Sequence, residues 1–330
     1  MPRWHNMPSM QASPRPQRPA ESLPSRPSAF RPPDLPLPTA PVGRSRLLVL
    51  AAAVLWSTSG FFVKSPDLRG WPGPPLAFWR AAIACLVLWP LVRRPQWSWK
   101  LVPMVAAFAA MNYTYLTAMA KGSAANAIWL QCTAPVWVLL VGVLVFGERA
   151  VGRDWLLVGF AAAGVAIILH YEWQQFALEA VLWGLASGVF YAGVVLSLRQ
   201  LREMDSAWLT ALNHLVTAVV LAPLALGGGY VPAGRQWLLL AGLGIVQMGL
   251  PYVLFARGLK GIAGHEATGI GLLEPLLVPL WVYLAWGDRP AWWTLVGGGL
   301  ILVGLAIRYL VPRQKVRLEP TAVGADRPAP

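Results

Sequence analysis

The chain has 330 residues, of which 56% are hydrophobic and only 12% are charged, against about 25% charged residues in ordinary soluble domains. A water-soluble protein of this composition would expose large apolar patches, so a bilayer must solvate the outer surface. The formal net charge of +13 raises nucleic acid as a partner. The Lys and Arg residues lie in short loops and tails without forming a basic stripe, which favours membrane topology and argues against nucleic acid.

Residues 1–43 contain 12 prolines, many Ser and Arg, and no apolar run. Such a segment cannot bury enough surface to fold, so we expect a disordered cytoplasmic tail. It also lacks the apolar core of a signal peptide. Met7 and Met10 offer alternative starts, which leaves open whether the tail belongs to the native protein. A second cytoplasmic tail is expected at residues 313–330.

Between the tails we predict ten membrane-spanning segments. Most reach the roughly 20 residues needed to cross about 30 Å of hydrocarbon. Backbone groups find no water there, so the spans must be helices, and the short connections make successive helices antiparallel neighbours. The predicted class is an all-α integral membrane protein with spans near residues 47–63, 75–92, 101–119, 124–146, 155–170, 178–198, 207–226, 237–256, 266–286 and 291–310.

The basic residues predict the orientation. With the N-terminus in the cytoplasm, fifteen Lys and Arg residues fall in or beside inside segments. Outside segments then carry only five, which are Lys64, Arg69, Lys121, Arg235 and Arg289. Positive charge concentrates on the cytoplasmic side of membrane proteins, so both termini are predicted to be cytoplasmic.

The second half of the chain repeats the first. Residues 130–165 have a copy 140 positions later that needs no gap, with Pro135 matching Pro275. Gly147-Glu148-Arg149 matches Gly287-Asp288-Arg289 in the same way. We place the two five-helix halves at residues 44–172 and 173–312. An odd number of spans per half forces the second half to enter the membrane from the opposite side, which is the inverted repeat of secondary transporters.

These residues resemble the drug/metabolite transporter superfamily, and within it the ten-helix EamA-type transporters. The likeness covers about residues 44–312. It lies in Leu55-Trp56-Ser57, Pro75-Leu76-Ala77-Phe78-Trp79-Arg80, Ala134-Pro135 through Gly147-Glu148-Arg149, Gly159 and Gly164, with second-half equivalents at Leu182-Trp183-Gly184, Leu273-Glu274-Pro275, Gly287-Asp288-Arg289, Gly299 and Gly304.

The resemblance implies efflux or uptake of small metabolites, often amino acids or their analogues, across a bacterial inner membrane. It does not single out one substrate. Small four-helix multidrug members of the superfamily couple transport to protons through a glutamate in the first helix. The first helix here reads Trp56-Ser57-Thr58-Ser59 and carries no acid, so the same coupling is not implied.

Two ionisable residues inside predicted spans are the leading candidates for transport, because such groups are costly in a membrane and usually face a cavity. Arg80 either holds a substrate carboxylate or phosphate by a bidentate pair, or caps carbonyls and reaches outward. Glu274 precedes Pro275, and proline kinks a helix. Its carboxylate either takes up a proton or binds an amine, or it hydrogen-bonds a neighbouring helix at the kink.

Other polar and aromatic residues complete the predicted binding set. His214 either relays a proton or packs as a satisfied core residue, and the amide side chains either bind substrate or join helices. Trp56 and Trp183 are repeat partners, so we expect them to face one cavity, with packing against lipid as the alternative. Besides Arg80 and Glu274 the set comprises Trp56, Ser59, Asn112, Tyr115, Asn126, Trp129, Trp183, His214 and Gln247.

A secondary transporter, as an exporter or a permease, is therefore the leading function. The alternatives are a membrane-embedded enzyme acting on a lipid or lipid-linked substrate, and a membrane sensor or scaffold that transports nothing. The four histidines show no metal-ligand spacing and Cys85 and Cys132 lie in apolar runs, so neither a metal nor a disulfide framework is expected. No phosphate-cradling Gly-Lys-Ser/Thr element occurs, and no cofactor is expected. Transport could be coupled to a proton or to an exchanged metabolite, and the protein could be a monomer or a homodimer.

Overall fold

The computed structural model describes residues 42–175 and 177–310, and within these ranges the chain is helical without β-strands. The predicted tails fall outside the described residues, apart from Val42 and Gly43, which begin the first helix.

Ten helices in the described part of the chain are long and apolar enough to cross a membrane, as the hydropathy pattern predicts. We number them α1 to α10 in chain order. Their bounds are Val42–Val63, Gly73–Leu91, Leu101–Lys121, Ala124–Leu144, Gly152–Gln174, Leu178–Gln200, Ser206–Leu226, Arg235–Gly258, Glu266–Trp286 and Trp292–Leu310. The ends differ from the predicted ones by a few residues, because polar flanking residues such as Gly152 and Arg153 continue the helical backbone.

Helix pairing obeys the symmetry of an inverted repeat. The repeat makes each helix of the first half equivalent to the helix five places later, so α1 corresponds to α6 and α3 to α8. Contacts between equivalent helices, which are α2 with α7, α4 with α9, and α5 with α10, are their own symmetry mates. A contact of α3 with α6 has as its mate a contact of α8 with α1. All five of these pairs pack together. The fold is therefore two inverted five-helix repeats, which the odd number of spans per half predicts.

Glycines set the closest helix contact of this arrangement, between α5 and α10. A Cβ atom added to Gly297 would lie 2.6 Å from the carbonyl oxygen of Gly164, and a Cβ atom on Gly164 would meet the Gly297 carbonyl in turn. Of the repeat glycines, Gly304 packs on Leu157 and Phe160 of α5, whereas Gly159 and Gly299 have open space beside them. Small residues thus allow the backbones of α5 and α10 to approach closely at a seam within one chain.

Four spans depart from regular α-helix in their interior. α1 is interrupted between Trp56 and Ser59, and α4 between Gln131 and Ala134. α9 is interrupted between Gly271 and Glu274, and α8 is π-helical over Gly242–Gly249. The interruptions in α4 and α9 lie 140 positions apart, the offset of the repeat, because Pro135 and Pro275 each lack the N–H that would continue the helix.

The two broken helices of the repeat meet at one end of the molecule. This end, which we call the closed end, carries the segments 64–72, 122–123, 227–234 and 287–291. There the Glu274–Trp286 half of α9 packs against the Ala124–Gln131 half of α4. Toward the opposite end, which we call the terminal end, Ala134–Leu144 packs against α6 and α5, whereas Gly264–Gly271 packs against α1 and α10. α4 and α9 therefore diverge toward the end at which the described chain begins and ends.

Hydrogen bonds between the halves fasten the closed end. The Trp286 indole Nε1 donates to the Phe61 carbonyl at 2.8 Å, and the Trp79 Nε1 donates to the Tyr230 carbonyl at 2.9 Å. Lys121 pairs with Glu179 at 3.0 Å. Indoles suit this role because their apolar body packs at the membrane interface while the N–H bonds a carbonyl.

Candidate functional site

A buried arginine forms the centre of the candidate site. Arg80 of α2 is 1% exposed, and its guanidinium donates a hydrogen bond to the side-chain oxygen of Asn112 on α3. Asn112 is held by its own amide, which donates to the Phe108 carbonyl one turn earlier at 2.8 Å. The Arg80 Nε has no hydrogen-bond partner. A buried guanidinium with a free donor is suited to bind an anionic group of a ligand.

Tyr115 and Ser59 join this arginine to the interruption of α1. The guanidinium carbon of Arg80 lies 5.9 Å from the centroid of the Tyr115 ring, within the range of a cation–π contact. The Tyr115 hydroxyl is 3.1 Å from Ser59 Oγ. The sequence prediction grouped these residues with Arg80 and Asn112, and the structure brings all four together.

Glu274 faces the arginine from the second half of the chain. It is half-buried, and it starts the second segment of α9, where the positive end of the helix dipole favours a carboxylate. Glu274 interacts electrostatically with Arg80 and with Tyr115, although no ion pair within 4 Å joins the two charges in the described ranges. An arginine and a glutamate thus stand apart at the interface of the two halves.

Tyrosines that the sequence prediction missed line the space beside Glu274. Tyr191 of α6 is 42% exposed, and it lies close enough to Glu274, Tyr252 and Cys132 to interact with them electrostatically. These four residues come from α6, α9, α8 and α4, so the exposed Tyr191 indicates open space between these helices.

Trp56 and Gln247 meet at the interruption of α1. Trp56, the last residue before the interruption of α1, contacts the ring of Tyr252 with centroids 5.3 Å apart. The Gln247 amide donates to the Trp56 carbonyl at 3.2 Å, which satisfies a carbonyl at the interrupted end of the helix. Gln247 reaches it from the π-helical turn of α8, and such turns are frequent at functional sites.

His214 lies behind the arginine in α7. It is fully buried, its ring is 5.0 Å from that of Phe108 and 6.1 Å from that of Tyr252, and both ring nitrogens lack a hydrogen-bond partner. Its neighbour Asn213 also has a side-chain oxygen without a partner. Unpartnered buried polar atoms are rare in proteins. Arg80, Asn213 and His214 together leave four such atoms on the packed pair α2 and α7.

Three predicted site residues lie elsewhere. Trp183 donates to Glu179 at 3.2 Å and stacks edge-on with Tyr113, and Asn126 donates to Glu172 at 2.7 Å, both toward the closed end. The structure therefore separates Trp183 from Trp56, and the prediction that these repeat partners share one cavity is not supported by their contacts.

Trp129 joins the two broken helices. Its indole Nε1 donates to the Pro275 carbonyl at 2.8 Å, and it is 3% exposed. That carbonyl would normally accept from the residue four positions later, but Pro279 has no N–H to give. Trp129 thus replaces the missing helical donor from the other half of the chain.

Comparison with known proteins agrees with this geometry. The model of the EamA-like transporter family matches residues 44–170 and 178–310. The chain therefore belongs to the EamA-like transporter family, whose members are membrane transporters of small molecules and not enzymes.

Individual relatives cover most of the chain. The pseudopaline exporter CntI of Pseudomonas aeruginosa is 30% identical over 270 residues, which span 78% of this chain and 93% of the relative. An uncharacterized transporter of Archaeoglobus fulgidus is 29% identical over 79% of this chain and 94% of its own. A riboflavin transporter of Rhizobium johnstonii is 26% identical over 75% of this chain and 83% of its own.

A crystal structure of a protein with 20% sequence identity matches 83% of this chain and the whole of its own, with a TM-score of 0.60. At that identity the match shows the fold alone.

Proposed function

We propose that the protein is a secondary transporter that works by alternating access and exports a small zwitterionic metabolite, such as an amino acid or a related compound, across a bacterial inner membrane. The observation that carries this proposal is the buried, partly unsatisfied Arg80 facing Glu274 across the interface of the two halves. The name of the pseudopaline exporter supports export as the direction.

The two charged residues bind opposite charged groups of the substrate. Arg80 binds the substrate carboxylate, for which it has a free Nε donor and an orientation fixed by Asn112. Glu274 binds the ammonium group. Protonation of Glu274 removes its attraction for a cation, which links substrate release to a coupling proton. Tyr191 and Tyr252 provide apolar ring faces with polar edges for the rest of the molecule.

The alternating step uses the interruptions in α4 and α9. In this state their closed-end halves pack together and their terminal-end halves diverge. Exchanging these arrangements between the halves would open the site to the opposite side, as inverted repeats allow. One chain contains both halves, so a monomer is sufficient for this cycle.

The basic residues support an orientation with the terminal end in the cytoplasm, so the described state is open toward the cytoplasm. A reporter fused within the segment 227–234 should then be active on the outer side only. A cytoplasmic signal from that fusion, with both termini also cytoplasmic, would contradict the antiparallel arrangement of the halves.

Extracellular metabolite profiling tests the function without assuming a substrate. Bacteria expressing the wild type are compared with bacteria expressing Arg80→Gln, Glu274→Gln, or Arg257→Gln, a control at an exposed arginine at the end of α8. We expect at least one zwitterionic metabolite to accumulate outside cells with the wild type and the control, but not with the two site variants. Equal accumulation with all four proteins, at equal membrane abundance, would refute the assigned site.

A further inference from the structure

A second cavity lies at the closed end, apart from the Arg80 region. It has a volume of about 310 Å³ and is lined from the first half by Lys64, Arg69 and Trp71, and from the second half by Trp286 and Asp288. Ligand cavities in proteins have volumes of about 300 to 1,000 Å³. Gly70, with φ of +85°, makes the turn that wraps the segment 64–72 around this space.

The charges in this cavity are not neutralised by one another. None of the ion pairs in the described part of the chain uses Lys64, Arg69 or Asp288. Burial lowers the pKa of Lys64, while Asp288 acts in the opposite direction and Arg69 adds to the lowering. Two cations and one carboxylate therefore lie within electrostatic reach in a concave space that a small molecule can fill.

Lys64 is already held by a neutral acceptor. Its ammonium donates to the Gly122 carbonyl in the connection between α3 and α4, within the first half. A carboxylate accepts a stronger hydrogen bond from an ammonium than a neutral carbonyl does, because both partners are charged. A carboxylate that enters the cavity would therefore compete with Gly122 for Lys64.

We propose that this cavity is a second binding site for a small zwitterion, in which Lys64 and Arg69 hold its carboxylate, Asp288 faces its ammonium group, and Trp71 and Trp286 flank its apolar part. The site goes beyond the proposed function and does not depend on the roles of Arg80 and Glu274, since it shares no residue with them.

Protection of Lys64 from acetylation tests the proposal. The purified protein in detergent receives a short pulse of N-hydroxysuccinimidyl acetate, and acetylation of Lys64 relative to Lys121 is measured by peptide mass spectrometry, because amine probes also consume the reagent. Three probes share a phenyl ring on a two-carbon chain: L-phenylalanine carries both charges, 3-phenylpropionate only the carboxylate, and phenethylamine only the amine. Lys121, at the same end but outside the cavity lining, is the internal control.

We expect L-phenylalanine to slow acetylation of Lys64 relative to Lys121 most, 3-phenylpropionate to slow it less, and phenethylamine to leave the ratio unchanged. Reagent consumed by an amine probe slows both lysines alike, so the ratio reports protection alone. Arg69→Gln should raise the probe concentration needed for half-maximal protection about ten-fold, which corresponds to one lost charge-assisted hydrogen bond. Arg289→Gln is the matched control, because that arginine lies at the same end against the Tyr283 ring and should leave the protection intact.

Arg80→Gln separates this site from the central one and should also leave the protection intact. Loss of protection in Arg80→Gln would show that the effect comes from the central site and would overturn the second site. Equal protection by phenethylamine or by inorganic phosphate, equal slowing of Lys121, or no protection by any probe would overturn it as well.

Discussion

The hydrogen bond from Trp129 to the Pro275 carbonyl gives a sharp prediction about stability. Trp129→Phe keeps an aromatic ring against Gly298 but removes the Nε1 donor. The Pro275 carbonyl then has no replacement in its own helix, because Pro279 supplies no N–H. Leaving a buried carbonyl unsatisfied costs about 1 to 3 kcal/mol, and the smaller ring adds lost packing. We expect Trp129→Phe to lower the free energy of unfolding by about 2 to 4 kcal/mol.

Trp137→Phe is the matched control on the same helix. The Trp137 Nε1 donates to Thr133 Oγ1 at 3.2 Å, and that hydroxyl keeps its own bond to the Leu130 carbonyl at 2.7 Å when the indole is lost. No backbone group is left unsatisfied, so we expect a loss of about 1 kcal/mol or less. Titration of both variants with SDS in mixed micelles measures the difference. Equal destabilisation by the two substitutions would refute the idea that Trp129 replaces the donor missing at Pro279.

Two further predictions follow from packing and from charge. In the same titration, Gly297→Ala should destabilise the protein by about 1 to 3 kcal/mol, because its Cβ atom would lie 2.6 Å from the Gly164 carbonyl oxygen. Gly299→Ala is the control and should not destabilise it, because Gly299 has open space beside it. Equal effects of the two substitutions would contradict a close contact between α5 and α10 at Gly297. Lys64 should be acetylated with a pH midpoint below the usual value of 10.5, because burial lowers its pKa; the same lysine in the denatured protein is the reference. Since the unfolded chain holds this proton to higher pH, the destabilising contribution of Lys64 should be relieved as pH rises from its lowered pKa toward 10.5, and a midpoint at or above the reference would contradict the burial.

The sequence was sufficient for the fold because hydropathy and the repeat act over long stretches. Twenty-residue apolar segments and an offset of 140 positions predict both the spans and their opposed orientation. The kink at Pro275 was also predictable, since proline removes a backbone donor wherever it stands. The π-helical turn at Gly242–Gly249 was not, because no comparable covalent signal marks it in the chain.

The site was only partly predictable, for a physical reason. Arg80 and Glu274 stand out because a charge inside an apolar span requires a polar surrounding. Tyr191 and Tyr252 do not, since an aromatic residue packs equally well against lipid and against protein. Sequence alone therefore leaves the rotation of a membrane helix about its axis undetermined. The same ambiguity explains why Trp183 was grouped with Trp56 although its contacts lie toward the closed end.

The two interruptions of the repeat are alike in backbone but different in charge. The position that matches Glu274 in the first half is Ala134, which also directly precedes a proline. Symmetry in the prolines lets α4 and α9 exchange conformations, whereas the asymmetry in charge places the only carboxylate of this pair on α9. On the proposed mechanism, a proton or a substrate amine therefore acts on one of the two hinges. Placing a carboxylate at the other hinge with Ala134→Glu should bring a second anion beside Cys132, which already lies within electrostatic reach of Glu274. If protonation of Glu274 drives the exchange, the like-charged neighbour should favour that protonation, so the pH profile of transport by Ala134→Glu should lie at higher pH than that of the wild type. An unchanged pH profile at normal abundance would show that the α9 hinge responds to something other than its carboxylate.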